Sequence, residues 1–250
     1  MIIDAHTHLV EGDPLYSQSL GGLRSGIDVL LENMDACGID KSIIFTVDFR
    51  MDPKESNDKV ASVVRKHNNR LIGFGSVHPR DKGEAVEEVR RCVEELGLRG
   101  LKFHPWLQAF KADDSLMYPI VEEAIKLNVP IIFHSGTPPY TLPLQVACLC
   151  DRYPEAKIIL GHMGMGNYWL DAVHAAERHP NIILETSSMC LGKPLALAIA
   201  KLGARRFIFG SDNPLMHPAP ELAKFKALNL TDDELHMVLG ENIKSLVGLY

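Results

Sequence analysis

The residues best suited to chemistry in this sequence are histidines and one aspartate that follow short apolar runs. His6 and His8 stand two residues apart near the start of the chain, and His134, His162 and Asp212 each follow a later run. Imidazole nitrogens and carboxylate oxygens are the ligands that Zn²⁺ and other divalent transition metals take in proteins. These residues therefore indicate a metal centre, provided that the fold brings them to one place.

The runs that precede them are predicted to be strands. Eight short runs rich in Ile, Val and Phe alternate with longer segments of helical periodicity, the clearest of which is Glu84–Leu96. This alternation predicts an α/β fold, a (β/α)8 TIM barrel that forms a single domain over residues 1–250. The rival is an open doubly wound sheet, but its Gly-x-Gly-x-x-Gly loop is absent after the first run. The predicted strands are Ile2–Ala5, Ser42–Val47, Leu71–Val77, Gly100–Phe103, Pro130–Phe133, Lys157–Leu160, Asn181–Leu184 and Arg206–Phe209.

A barrel would gather the candidate ligands, because active sites in this fold lie at the carboxyl ends of the strands. Side chains alternate along a strand, so Asp4, His6 and His8 are expected to share one face. His6 and His8 would then bind one ion together, and His134 and Asp212 would complete the shell. A water molecule would take the remaining position, as a catalytic zinc site requires.

Six segments with characteristic residues appear in order along nearly the whole chain: Asp4–His8, Gly100–Pro105, Ile132–Gly136, Leu160–Gly164, Phe209–Asp212 and Leu239–Asn242. As an ordered set they resemble the amidohydrolase superfamily of metal-dependent hydrolases, in particular the amidohydrolase 2 branch that includes aminocarboxymuconate semialdehyde decarboxylase. The resemblance implies that His6, His8, His134 and Asp212 are metal ligands and that His162 acts as acid and base or orients the attacking water.

The resemblance leaves the reaction open between two chemistries. The leading expectation is a hydrolase in which zinc-bound hydroxide attacks an amide, ester or lactone carbon of a small molecule, with His162 and Asp212 as the catalytic residues. The alternative is a carboxy-lyase that removes CO₂ from an unsaturated or aromatic acid. A barrel that only binds a ligand is a third hypothesis. The expected cofactor is one divalent metal, Zn²⁺ first and Mn²⁺ or Fe²⁺ otherwise.

Four further residues are predicted to bind substrate. Lys102 and His104 share one face of the fourth strand, Arg50 follows the second strand, and Trp106 could form an apolar wall. Some superfamily members carry a carbamylated lysine on strand four that bridges two metals. Lys102 is therefore either such a bridge, a carboxylate anchor, or a buried cation paired with Asp4 or Glu185.

Composition narrows the class of protein. The chain is 46% hydrophobic and 23% charged with a formal net charge of −6, which favours a globular domain and argues against a basic nucleic-acid-binding surface. There is no run of eighteen apolar residues, so no membrane partner is expected. Five scattered cysteines predict reduced thiols in a cytoplasmic protein, and the acidic residue at position 4 is not expected in a secretory signal. The expected partner is the small-molecule substrate of the predicted enzyme. A homodimer is left open.

Overall fold

In the part of the chain that the structure describes, eight parallel strands form the framework. A computed structural model describes residues 1–10, 26–46, 52–189 and 192–249. The strands are short, with two to seven residues each, and most of their side chains are buried. In chain order they are β1 (Ile3–Leu9), β2 (Lys41–Thr46), β3 (Leu71–Gly73), β4 (Leu101–Phe103), β5 (Ile131–His134), β6 (Ile158–Gly161), β7 (Ile182–Glu185) and β8 (Phe207–Ile208).

Helices surround the strands and begin and end at residues suited to those positions. Asp52 accepts a hydrogen bond from Lys54 N at 2.8 Å at the start of α2, and Gly38 adopts a left-handed conformation just after α1. The helices are α1 (Ile27–Cys37), α2 (Pro53–Lys66), α3 (Gly83–Arg90), α4 (Tyr118–Lys126), α5 (Pro143–Arg152), α6 (Trp169–Arg178), α7 (Gly192–Leu202), α8 (Pro218–Lys226), α9 (Asp232–His236) and α10 (Asn242–Leu246).

The strands close into a barrel. They pair as β1-β2-β3 and as β4-β5-β6-β7-β8. Lys102 N donates to Gly75 O at 2.7 Å and joins β4 to the chain beyond β3, while Ala5 N donates to Phe209 O at 3.0 Å and joins β1 to the end of β8. These two bonds close the circle of described strands, which confirms the predicted (β/α)8 barrel.

Two apolar layers hold the barrel together. Phe103, Phe133 and Leu160 pair in register and face the helices, within a cluster that contains most of the buried apolar side chains. Ile132 and Ile159 face inward in a second cluster, which α10 completes at the amino ends of the strands. Apolar packing thus fills one end of the barrel and leaves the carboxyl ends for polar side chains.

The first strand differs most from its prediction. It runs on through His6 and His8 to Leu9, and its pairing with β2 slips between Asp4 and Thr7. This irregularity interrupts the alternation of side chains. The expectation that Asp4, His6 and His8 share one face is therefore wrong for Asp4, which bonds to Ser211, although both histidines reach the site.

Smaller differences occur elsewhere. The third strand ends at Gly73 instead of Val77, and the helix predicted over Glu84–Leu96 changes after Arg90 into a π-helical turn over Arg91–Glu95.

Among the described residues, no helix is both long and apolar enough to cross a membrane.

We expect a methyl group at Gly100 to destabilise the barrel. A Cβ there would lie 2.5 Å from the ring of Phe74, which is buried in the inner cluster, whereas a Cβ at Gly83 would meet no atom within 4 Å. Gly100→Ala should lower the free energy of unfolding by about 1–3 kcal/mol. Gly83→Ala is the control and should leave it within about 1 kcal/mol. Urea denaturation measures both, and equal stabilities would contradict the packing described.

Candidate metal centre

The predicted ligands meet at the carboxyl ends of the strands. His6 and His8 lie on β1, His134 ends β5, His162 follows β6, and Asp212 follows β8. Asp212 Oδ1 is 2.7 Å from His8 Nε2 and 3.6 Å from His6 Nε2, and His162 Nε2 is 3.0 Å from His134 Nδ1. The structure therefore brings together all five residues on which the predicted centre depends.

Two of these residues have an unusual backbone. His162 and Asp212 have φ angles of 60° and 68°, in the left-handed region that non-glycine residues seldom adopt. Asp212 N donates to His6 O at 2.8 Å, and the neighbouring Ser211 donates from its amide and hydroxyl to the carboxylate of Asp4. These bonds hold Asp212 beside β1, so the strained conformation is maintained by its surroundings.

The carboxylate of Glu185 organises the centre. It is fully buried at the end of β7, and four donors converge on it: His6 Nδ1 at 2.6 Å, His162 N at 3.0 Å, and the amide and hydroxyl of Ser187. An ionised carboxylate only accepts hydrogen bonds, so His6 carries its proton on Nδ1. The lone pair of His6 is then on Nε2, the atom that faces Asp212.

A glycine makes room for this contact. Gly210 lies just beyond β8, and a Cβ there would collide with the Glu185 carboxylate and lie 2.8 Å from His6 Cβ. Any side chain at this position would have to displace the two groups that define the centre.

Burial keeps the imidazoles neutral. It lowers the pKa of His6, His8 and His134, and lowers that of His162 to about 3. Burial alone would raise the pKa of Asp212, but the hydrogen bond to His8 and the nearby histidines hold it well below its usual range. Neutral imidazoles and an ionised carboxylate are the forms that bind metal ions.

These donors fit one divalent transition-metal ion. Within the described ranges, His6, His162 and Asp212 form the one group of metal-binding residue types whose ligand atoms all lie within 4.8 Å of one another. His8 bonds directly to Asp212, and His134 Nε2 is buried with no hydrogen-bond partner among the described residues. His6 and Asp212 are therefore common to every ligand set, while His134 and His162 are alternatives.

Lys102 lies inside the barrel and is fully buried. Its Nζ is 3.2 Å from His6 Nε2 and 4.7 Å from the centre of the Phe45 ring. Burial lowers its pKa to about 8, against the opposing effect of Asp212 and Glu185. The ammonium group of Lys102 therefore contacts His6. Asp4, which was considered as a partner of Lys102, is bonded to Ser211 instead.

The other predicted substrate contacts have different positions. His104 stacks on His134 with ring centres 3.8 Å apart, and burial lowers its pKa to about 2. Trp106 is 51% exposed in the loop after β4. Arg50 lies outside the described residues.

Sequence reasoning considered Glu185 only as a partner of Lys102, and it missed both the contact of Glu185 with His6 and the contacts of Ser187 in the centre. Glu185 is the residue that bonds the imidazole ring of His6, from Oε2 to Nδ1 at 2.6 Å. The sequence contained a signal for Glu185, because this residue directly follows the apolar run of the predicted seventh strand, just as His134 follows the fifth.

Comparison with known proteins identifies the family. Residues 3–249 match the family model described as amidohydrolase (Amidohydro_2), so the chain belongs to this family. The resemblance noted in the sequence is confirmed, and the protein is an enzyme of the amidohydrolase superfamily.

Similar proteins include decarboxylases. The chain is 27% identical over 240 residues to gamma-resorcylate decarboxylase of Polaromonas sp. (76% of this chain, 73% of the relative). It is 31% identical over 130 residues to 2-amino-3-carboxymuconate-6-semialdehyde decarboxylase of Dictyostelium discoideum (43% and 36%). Among solved structures, a dihydroxybenzoic acid decarboxylase of Polaromonas sp. with bound manganese and the inhibitor 2-nitroresorcinol superposes with a TM-score of 0.80 at 22% identity (99% and 97%).

These relatives correct the leading expectation about the reaction. Hydrolysis of an amide, ester or lactone was expected, but the named relatives are carboxy-lyases. The hydrolase interpretation is wrong, and the decarboxylase alternative is the one that the comparisons support. The physical reason for the error is that the same ligand types serve both reactions, so the metal-binding pattern did not separate them.

We expect Gly210→Ala to weaken metal binding. The added methyl group would push Glu185 away from His6, and loss of such an orienting partner lowers metal affinity by about 10- to 100-fold. Competition with a fluorescent chelator measures the affinity. Gly192→Ala is the control, because a Cβ at Gly192 meets no atom within 4 Å. Unchanged affinity in Gly210→Ala would contradict the role given to Glu185.

Proposed function

We propose that this enzyme is a metal-dependent decarboxylase that releases CO₂ from a small aromatic or unsaturated carboxylic acid. The observation that carries the proposal is a fully buried ammonium group, Lys102, beside the candidate ligand His6 and close to other neutral histidines. This arrangement offers a cation for a carboxylate and a base for a proton. The named decarboxylase relatives support the same reaction.

In this proposal His6, His8, His134 and Asp212 hold one divalent ion. His134 is preferred to His162 as a ligand because its buried Nε2 has no partner among the described residues, whereas both ring nitrogens of His162 have one. Zinc was the expected ion, but the related decarboxylase structure contains manganese, so we place Mn²⁺ first. When bound, the ion supplies a Lewis acid that polarises substrate oxygens.

Lys102 anchors the substrate carboxylate. Its ammonium now has the lone pair of His6 Nε2 as an acceptor, 3.2 Å away. If a metal bound His6 Nε2, the buried ammonium group of Lys102 would lose this acceptor and would need another partner. A carboxylate meets that need, and the anchored substrate is held beside His162 and Asp212. Lys102 is thus a binding residue, and the carbamylated bridge to a second metal forms no part of the proposal.

His162 transfers the proton in the reaction, and Asp212 assists it. The bond between the substrate carbon and its carboxyl group breaks, CO₂ leaves, and a proton takes its place on that carbon. His162 is neutral at pH 7 because its pKa is lowered to about 3, so its imidazole can accept a proton from the solvent or the substrate and pass it on. Asp212, as the neighbouring carboxylate, stabilises the protonated imidazole.

The remaining predicted contacts would shape the substrate pocket. His104 and His134 form a flat stack whose edge adjoins the centre. Trp106 is assigned to the mouth of the pocket, and Arg50 to a second contact with an anionic substrate.

Detection of CO₂ tests the proposed reaction. The manganese-loaded enzyme should release one CO₂ for each molecule of gamma-resorcylate or of another hydroxylated benzoate consumed, measured in a sealed vessel. Removal of the metal with a chelator should abolish the release, and added Mn²⁺ should restore it. His162→Asn should lower kcat by about 10²- to 10⁴-fold, the contribution of a positioned acid and base. Conversion of an acid without CO₂ release would contradict the proposal.

We expect Lys102→Met to raise KM more than it lowers kcat. Methionine keeps a long apolar stem over Phe45 but has no charge for the substrate carboxylate. Loss of a charge-assisted contact of this kind should raise KM by about 10- to 100-fold. Lys157→Met, a partly exposed lysine that donates to Asn128 O, is the control. Equal KM values in Lys102→Met and the parent enzyme would remove Lys102 from the binding site.

A further inference from the structure

We infer that Ser187 is a positioning residue that determines which ring nitrogen of His162 carries the proton. This inference rests on the proposed role of His162 as the base. Ser187 is fully buried and stands two residues after Glu185. Its hydroxyl group contacts both Glu185 Oε2 and His162 Nδ1, each at 2.9 Å.

The direction of these hydrogen bonds follows from Glu185. Backbone N–H groups of His162 and Ser187 donate to its two oxygens, and His6 Nδ1 donates to Oε2. A carboxylate surrounded by donors accepts from the Ser187 hydroxyl as well. The hydroxyl group then donates its one proton to Glu185, so Ser187 Oγ can only accept a hydrogen bond from His162.

His162 must therefore be the donor to Ser187. Its Nδ1 carries the proton, and its Nε2 has a lone pair that faces His134 Nδ1 at 3.0 Å. His134 Nδ1 must in turn donate to that lone pair. The lone pair of His134 is then on Nε2, which is buried without a partner among the described residues.

One chain of donors thus runs in a single direction, from His134 through His162 and Ser187 to Glu185. It places the lone pairs of His6 and His134 on Nε2, the nitrogen that each of these two proposed ligands would offer to the metal. The reverse direction would require Glu185 to donate a proton, although three N–H groups already donate to its oxygens. The observed contacts therefore select one tautomer for each of the three histidines.

The segment that carries Ser187 is held in place from outside the centre. Lys224 of α8 donates from Nζ to the carbonyl oxygens of Thr186 and Met189, at 2.9 and 2.8 Å. These two bonds flank Ser187 on either side. The hydroxyl therefore has a fixed position against His162, as a positioning residue needs.

The consequence for the reaction is specific. With the proton fixed on Nδ1, the nitrogen of His162 that can accept a proton is Nε2, which lies on the side of His134. Without Ser187 the buried imidazole could take either tautomer, and the fraction with its lone pair on Nε2 would fall. Substrate binding would be little affected, because the side-chain hydrogen bonds of Ser187 among the described residues go to Glu185 and His162 and not to Lys102, the proposed carboxylate anchor.

The tautomer can be observed directly. Metal-free enzyme labelled with ¹⁵N-histidine should show His162 protonated at Nδ1 and unprotonated at Nε2, with the resonances assigned by their loss in His162→Asn. In Ser187→Ala the Nδ1–H signal should weaken as an Nε2–H form appears. A proton on Nε2 of His162 in the parent enzyme would overturn the inference, and so would an unchanged tautomer in Ser187→Ala.

Kinetics provide a second readout. Ser187→Ala should lower kcat by about 10- to 100-fold with KM within about twofold of the parent. Ser187→Thr, which restores a hydroxyl, should recover at least part of the loss. Ser42→Ala is the control, because the Ser42 hydroxyl is also buried on the barrel but has no hydrogen-bond partner among the described residues. Equal kcat in Ser187→Ala and Ser42→Ala would overturn the inference.

The two proposals fail in different ways. Absence of CO₂ release with every acid tested would contradict the decarboxylase proposal, while the NMR result would still determine the role of Ser187. An Nε2–H tautomer in the parent enzyme would contradict the role of Ser187 even if CO₂ were released.

Discussion

The buried carboxylate of Glu185 is the group on which the centre depends. A charge inside a protein is unfavourable unless donors surround it, and here four donors do so. Those donors include the ring of His6 and the backbone of His162, so satisfying one charge also orients the two histidines. Gly210 contributes by having no side chain where the carboxylate must lie. Removal of the Glu185 carboxylate would leave both histidines without their shared acceptor.

The barrel makes this arrangement possible by separating its two ends. Isoleucines from several strands and the last helix fill the amino-terminal side, and they provide the apolar packing that offsets the burial of polar groups. The carboxyl ends then hold histidines, a lysine and carboxylates within a few ångströms of one another. Backbone strain at His162 and Asp212 lies at these ends as well, which is typical of functional sites. Such strain persists because hydrogen bonds hold each residue against a strand: His162 N donates to Glu185 at the end of β7, and Asp212 N donates to His6 O on β1.

Much of this could be predicted from the sequence, and the remainder had identifiable physical reasons. Eight apolar runs predicted the barrel, and residues that follow those runs predicted the ligands, because the fold places strand ends together. Glu185 was not predicted as an orienting residue, since the predicted seventh strand ended one residue too early, at Leu184. Asp4 was misplaced because the slipped pairing in β1 does not follow simple alternation. The reaction was misjudged because histidine and aspartate ligands serve hydrolysis and decarboxylation equally well.

Metal content per chain tests the central claim most directly, that Glu185 and the strand ends assemble one metal centre around His6. The metal content of protein purified without added metal or chelator would be measured by inductively coupled plasma mass spectrometry. A His6→Ala, His8→Ala double variant, whose folding is checked by circular dichroism, would be measured in the same way. The account predicts about one divalent ion per parent chain and almost none in the folded variant. Two ions per chain would contradict a single centre. No ion in the parent, even after reconstitution with Mn²⁺, Zn²⁺ or Fe²⁺, would contradict the metal centre itself.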